Sequence, residues 1–210
     1  MANTMLKLFP FRELTSWSVA NLSLESVSSH FPFQKVKKFL EPSKDRVEIK
    51  DDTLYKQITV KINGNGVIKR GEKYGSEIGT KKQFVAKKGQ LIVSKIDARN
   101  GAIGIVPEDL DGAVVTPDFM LFDVKNINID YLKLILSSEK FREQWQSKSS
   151  GSTNRQRVNE KTMLESLIPV PPLNEQLNLV SSYKEAIDLL KKAEKKKEAA
   201  LQEFKKIVFS

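Results

Sequence analysis

The sequence reads as an α+β protein: a globular domain with a twisted, strand-rich core, followed by one long C-terminal helix of coiled-coil character. Three observations point there. Between residues 56 and 124, short alternating or apolar runs are punctuated by Gly and Pro, the pattern of a twisted or barrel-like sheet. From Asp130 the apolar spacing becomes helical. After Pro172 neither Gly nor Pro occurs, and apolar residues recur at three- and four-residue steps.

The elements follow in order. Residues 1–30 carry little pattern, although Glu13 to Val19 is compatible with the start of a short helix. Phe31 to Leu40 alternates loosely, as a short strand or helix ended by Pro42. Lys56 to Ile62 alternates strictly, with Ile58, Val60 and Ile62 on one face, so it is expected to be a half-buried strand. Asn63 to Gly66 is a turn and Val67 opens a second strand, which together make a hairpin. Gly71 to Gly79 holds three glycines in what reads as a charged loop. Gln83 to Gly89, Gln90 to Ile96, Gly101 to Val106, Gly112 to Thr116 and Phe119 to Val124 are further strands.

Tyr131, Leu134, Ile135, Leu136, Phe141 and Trp145 fit a helix capped by Asn128 or Asp130. Residues 147–154 form a polar loop, and Asn159 caps a short helix from Glu160 to about Ser166. Leu167 to Pro172 is extended, because successive prolines bar helix. The last helix runs from Leu173 to about Val208, roughly 50 Å at 1.5 Å per residue. Leu173, Leu177, Val180, Ile187, Leu190, Leu201, Phe204 and Val208 form one apolar stripe that needs a partner helix. Lys191 to Glu198 offers only Ala193 to that seam, so its middle should pack weakly. The domain division expected is 1–172 and 173–210.

Composition excludes several classes. There is no cysteine, hence no disulfide or thiolate chemistry, and one histidine, His30, to which no role is assigned. No apolar run reaches the roughly 20 residues of a membrane span. Residues 1–10 lack a cleavage pattern, so a cytoplasmic protein is expected. The net charge is +9. Nine basic residues face three acidic ones between Lys69 and Asn100, and five face two between Arg142 and Lys161. Positive charge concentrated this way suits a polyanion, nucleic acid above all, although general solubility would also explain it.

Several motifs fall away. Glycines 71, 75 and 79 lack the Gly-Lys-Ser/Thr ending of a phosphate-cradling loop, and Asn63-Gly-Asn-Gly66 lacks a strand-to-helix setting. Val170-Pro-Pro-Leu173 lacks the polar acceptor and aromatic ring of an amino-methyltransferase site, which leaves a rigid junction. Trp145 belongs on an apolar helix face, in the core. Lys191 to Lys197 reads first as a solvated helix face.

Four stretches carry a family resemblance: Tyr55 to Arg70; Lys88-Gly-Gln-Leu-Ile-Val-Ser-Lys-Ile-Asp-Ala-Arg-Asn-Gly-Ala-Ile-Gly-Ile-Val-Pro107 continued by Asp111 to Phe119; Ser150 to Val158; and Ile168-Pro-Val-Pro-Pro-Leu-Asn-Glu-Gln176 leading into the helix. Together they resemble the specificity (S) subunits of type I restriction-modification systems, over roughly residues 33–208. The resemblance implies a target-recognition domain joined to a spacer helix. Family members carry two such units, so this chain looks like a half-size subunit or a fragment. It further implies antiparallel helix pairing of two copies, recognition of a two-part palindrome in double-stranded DNA, and no catalytic or metal residue in this chain. An adenine methyltransferase subunit carrying S-adenosylmethionine is the implied partner, joined in some systems by a restriction/translocase subunit.

Under that reading the DNA contacts are sought in basic, donor-rich loops. Lys69, Arg70, Lys73 and Tyr74, with Lys81, Lys82 and Gln83, are candidates for phosphate contact. Ser94, Lys95, Arg99 and Asn100 lie where a strand enters a turn; Arg suits guanine and Asn suits adenine, unless the turn's residues merely organise it. Asn154, Arg155 and Arg157 sit in the polar loop before a capped helix. On the helix, Leu177, Val180, Ile187, Leu190, Leu201, Phe204 and Val208 are the dimer or partner contacts. Two other readings stay open: a free-standing nuclease or methyltransferase, and a decoy that binds the methyltransferase subunit without reading DNA.

Overall fold

The computed structural model describes residues 29–146 and 157–209. The expected helix start at Glu13 to Val19 lies outside them. Eleven strands are described: β1 (Phe33–Lys35), β2 (Leu40–Ser43), β3 (Arg46–Glu48), β4 (Leu54–Val60), β5 (Val67–Tyr74), β6 (Lys82–Ala86), β7 (Leu91–Ser94), β8 (Ile103–Ile105), β9 (Ala113–Val115), β10 (Phe119–Val124) and β11 (Leu167–Pro169). Four helices accompany them: α1 (Ile129–Ser137), α2 (Glu139–Gln146), α3 (Glu160–Leu164) and α4 (Leu173–Val208).

A four-stranded sheet in the order β2-β10-β7-β8 lies against a five-stranded one in the order β3-β6-β9-β4-β5. Strand β7 explains the arrangement. Its sequence Leu91-Ile-Val-Ser94 is buried at every position. Leu91 and Val93 enter a core with Phe122, Leu132, Leu136, Trp145 and Met163, under the helices. Ile92, pointing the other way, joins Ile58, Val60 and Val115 from the second sheet and Leu110 from the turn before β9. A continuous apolar run is what a strand covered on both faces requires.

Trp145 is fully buried, meets Phe141 edge-on at 4.9 Å and donates its indole N–H to Ser166 Oγ at 3.0 Å. Its core placement is therefore as expected. Asn128 caps α1 by accepting from the Tyr131 N–H, and Asn159 caps α3 by accepting from the Thr162 N–H.

Three local expectations change. Pro42 does not end an element; it lies inside β2, on the outer edge of its sheet, where a missing N–H costs no ladder bond. The helix expected from Asp130 to Trp145 is two helices, broken at Ser138, whose backbone is extended (φ −65°, ψ 144°) and whose hydroxyl donates to the Ile135 carbonyl. Lys69 to Tyr74 is strand rather than loop, since β5 runs to Tyr74 before Gly75 turns the chain.

α4 is one helix of 36 residues, starting just after Pro172. Only its first turns meet the rest of the chain. Gln176 is buried, accepts from the Asn128 N–H at 2.9 Å and donates to the Pro171 carbonyl at 2.8 Å. Val180 is buried, and Lys184 pairs with Asp130 of α1 at 2.5 Å. No described helix is both long and apolar enough to cross a membrane.

Candidate nucleic-acid interface

The hairpin and the turn after β7 are built as one unit. Ser94 leaves β7 buried and accepts from the Asp97 N–H at 3.2 Å. Asp97 in turn holds the Asn100 amide at 3.3 Å and receives the Ala102 N–H on its carbonyl at 3.0 Å. A short 3-10 turn, Ala98–Asn100, closes on Gly101 in the left-handed region (φ 72°). A side chain there would be strained and would crowd the Asn63 backbone at 3.2 Å. That crowding reflects a splice between loops: Asn63 N–H donates to the Asn100 carbonyl and Gly64 N–H to the Gly101 carbonyl, each at 2.8 Å. Arg142 of α2 clamps the same turn by donating to the Arg99 carbonyl at 2.9 Å.

Lys95 sits beside this turn, at a junction of three segments. Its N–H donates to the Asp118 carbonyl, its carbonyl accepts from the Val158 N–H, and its ammonium reaches the Pro117 carbonyl at 2.5 Å. Arg157 pairs with the Asp118 carboxylate at 3.1 Å. Lys95, Arg157 and the Asp97–Gly101 turn thus gather at one place, although 62 positions separate Lys95 from Arg157 in the chain.

From the hairpin, β5 runs along the free edge of the five-stranded sheet. Its register against β4 slips once: Gln57 faces Gly71 and Ile58 faces Lys69, so Arg70 is an extra, bulged residue. A bulge on an edge redirects a side chain and blunts strand-to-strand aggregation. Lys69 is partly offset by Glu72 at 2.9 Å. Arg70, Lys73 and Lys82 are exposed and make no ion pair with another described residue. Tyr74 is also exposed, at the end of β5. Eight residues of strand span about 26 Å, and the Lys95–Arg157 cluster lies towards the hairpin end of β5 while Lys82 lies towards the other.

Three candidates make hydrogen bonds within the fold. Gln83 is buried and its amide donates to the Thr80 carbonyl at 3.0 Å, because β6 turns it inward. Lys81 binds Asp51 at 2.5 Å and the Gly75 carbonyl at 2.6 Å, closing the segment after β5. Ser94 is spent on its turn. Asn154 and Arg155 lie outside the described residues. The sequence reading passed over Lys61 and Lys50, both exposed at the two ends of β5, since neither sits in a conspicuous basic run. No cluster of His, Cys, Asp or Glu able to hold a metal ion exists among the described residues.

Of the helix candidates, Val180 is buried on the chain's own domain and Ile187 is half-buried, whereas Leu177, Leu190, Leu201, Phe204 and Val208 are exposed. Between α1 and α4 lies a groove whose larger part is about 410 Å³, lined in part by Lys133, Leu134, Leu179 and Tyr183. Burial there pushes the Lys133 ammonium's pKa down.

Residues 33–203 match the family model described as the type I restriction modification DNA specificity domain. No curated protein matches the sequence. Among solved structures, an HsdS subunit from Thermoanaerobacter tengcongensis is similar with a TM-score of 0.65 at 17% identity, over 84% of this chain and 47% of that one. A chain from work on complex assembly and conformational transition of the type I R-M system gives 0.66 at 17%, over 84% and 48%. A type-I restriction-modification system S subunit from M. genitalium gives 0.50 at 12%, over 80% and 42%. These likenesses show the fold, and the strand-rich core with its long helix agrees with the α+β reading. The chain spans about half the length of the solved chains it matches.

Proposed function

The chain belongs to the type I restriction modification DNA specificity domain family, and from that premise we propose that it reads DNA sequence for an adenine methyltransferase complex without doing chemistry itself. The observation that carries the reading is the edge strand β5 with its bulged Arg70 and exposed Lys73, continued at one end by the Lys95–Arg157 cluster and at the other by Lys82. Exposed cations in a row of this length suit the phosphates of a duplex, and loops spliced to a rigid sheet suit base edges. Arg99 and Asn100, on the clamped turn, have the chemistry for guanine and adenine.

In this reading two copies pair through α4 and present two recognition domains to a two-part palindrome. The methyltransferase subunit carries S-adenosylmethionine and the base-extruding pocket. A restriction/translocase subunit joins where the system includes one. The assembly works in the cytoplasm.

The test is recovery of the tagged chain from its host, followed by methylome sequencing. Co-recovery of a DNA methyltransferase, with adenine methylation at a two-part palindrome that disappears when the chain's gene is deleted, is the expected result. Recovery of the methyltransferase with a methylome unchanged by that deletion would overturn DNA reading.

A further inference from the structure

α4 repeats in sevens. One row holds Leu173, Val180, Ile187, Glu194, Leu201 and Val208; the neighbouring row, three residues on, holds Gln176, Tyr183, Leu190, Lys197 and Phe204. The chain's own domain covers the beginning of this seam at Gln176 and Val180, and the Lys184–Asp130 pair lies just beyond them. From there the seam is bare: Leu190 is 59% exposed, Leu201 44%, Phe204 55% and Val208 52%. Within it stand two charges, Glu194 and Lys197. A charge in such a seam is costly unless an opposite charge meets it.

That condition selects among the ways two copies can pair. A parallel, in-register pair sets Glu194 against Glu194 and Lys197 against Lys197, both repulsive. An antiparallel pair matches one row with the other, in registers that differ by seven residues. One of them sets Tyr183 against the second copy's Val208, Ile187 against Phe204, Leu190 against Leu201, and Glu194 against Lys197. Every apolar residue of the two rows between Tyr183 and Val208 then meets an apolar one, and two symmetric ion pairs flank the two-fold axis. A shift of seven either way sets both charges against Ile187 and Leu190, or against Leu201 and Phe204. Beside the favoured seam, Ala193 faces Ala200 and Ala186 faces Ile207, small residues that let the backbones approach.

For an antiparallel pair of α4 helices, the geometry points to the Glu194-to-Lys197 register as the one in which a second copy covers the bare part of α4. This rests on the dimeric reading proposed above and adds its register. The overlap, Tyr183 to Val208, is about 39 Å of helix. It brings the second copy's Val208 and Phe209 to the groove between α1 and α4 at Leu134 and Tyr183. The register thereby fixes how far apart the two domains stand.

The chain has no cysteine, so single cysteines report the pairing cleanly. Leu190→Cys and Leu201→Cys chains, purified separately, should each remain uncrosslinked on oxidation and should form a disulfide-linked dimer when mixed and re-equilibrated. Crosslinking of either variant with itself would overturn the antiparallel register while leaving the dimer standing. A dimer by mass that never crosslinks in the mixture would overturn this register too. A monomeric mass for the unaltered chain would overturn the dimeric reading itself. As an independent check, Glu194→Lys should raise the dimer dissociation constant by about tenfold or more, since it sets like charges together. Adding Lys197→Glu on the same chain should restore it; no rescue would count against the pairing.

Discussion

Val180 and Leu201 stand on the same row of the same helix, three heptads apart, yet Val180 is buried and Leu201 is 44% exposed. The difference separates two kinds of structure in one chain. Around Val180, tertiary contacts are complete: Gln176 satisfies two backbone groups and Lys184 meets Asp130. Around Leu201, the apolar side chains have little of their own chain to lie against. Folding finishes the strand-rich domain and leaves the apolar residues of the far half of α4 exposed. In the proposed reading, a single chain thereby separates the surface that touches DNA from the surface that sets the distance between two such domains.

This contrast can be broken from either side. The largest expected effect is in the domain: Trp145→Ala should cost about 3–5 kcal/mol through the cavity and the lost indole hydrogen bond to Ser166, read as a lowered denaturant midpoint. Leu201→Asp should leave the domain's unfolding midpoint at low protein concentration unchanged but raise the dimer dissociation constant about 100-fold or more, read by light scattering against concentration. Gln176→Ala tests the joint between the two regions. It strands the Asn128 N–H and the Pro171 carbonyl, at a cost of about 1–3 kcal/mol, with faster hydrogen exchange at the Asn128 amide. Lys73→Ala should leave both stabilities alone and reduce the log–log salt slope of DNA binding by about 0.9.

The smallest effect is in acid. Glu165 accepts hydrogen bonds from Lys35 and Lys37, which hold its pKa down at about 2 instead of 4.5. A carboxylate lowered in the folded state contributes stability that is full above about pH 4.5 and is lost as pH falls through about 2. Glu165→Gln should therefore differ from the native chain at neutral pH and converge with it below about pH 2. Carbon-13 titration of the Glu165 carboxyl should give a midpoint well under the usual carboxylate range.

Legibility in the sequence followed the same division. The strands between 56 and 124 could be read because Gly and Pro mark their ends, and α4 could be read because nothing in it breaks a helix. β5 was legible as a strand only at its start, Val67 to Lys69, because its remainder, rich in Lys, Arg and Glu on a sheet edge, has no apolar alternation to show. Gln176 was invisible as a core residue, since a polar side chain is buried only by partners that the fold supplies. The gathering of Lys95, Asp118 and Arg157 depends on the register of β7 with β10, which no local pattern encodes. The bonds of Gln83 and Lys81 were equally hidden: Gln83 meets a backbone carbonyl, that of Thr80, and Lys81 meets Asp51, 30 residues away in the chain.

Selection of binding sites from a random duplex library by the full chain, with the selected complex weighed by native mass spectrometry, probes both regions at once. Two chains on one duplex, with a consensus of two inverted halves separated by an unspecified spacer, is the outcome expected of a DNA-reading domain on an antiparallel α4 pair. One chain on one uninterrupted site, or no sequence enrichment at any salt concentration, would contradict it.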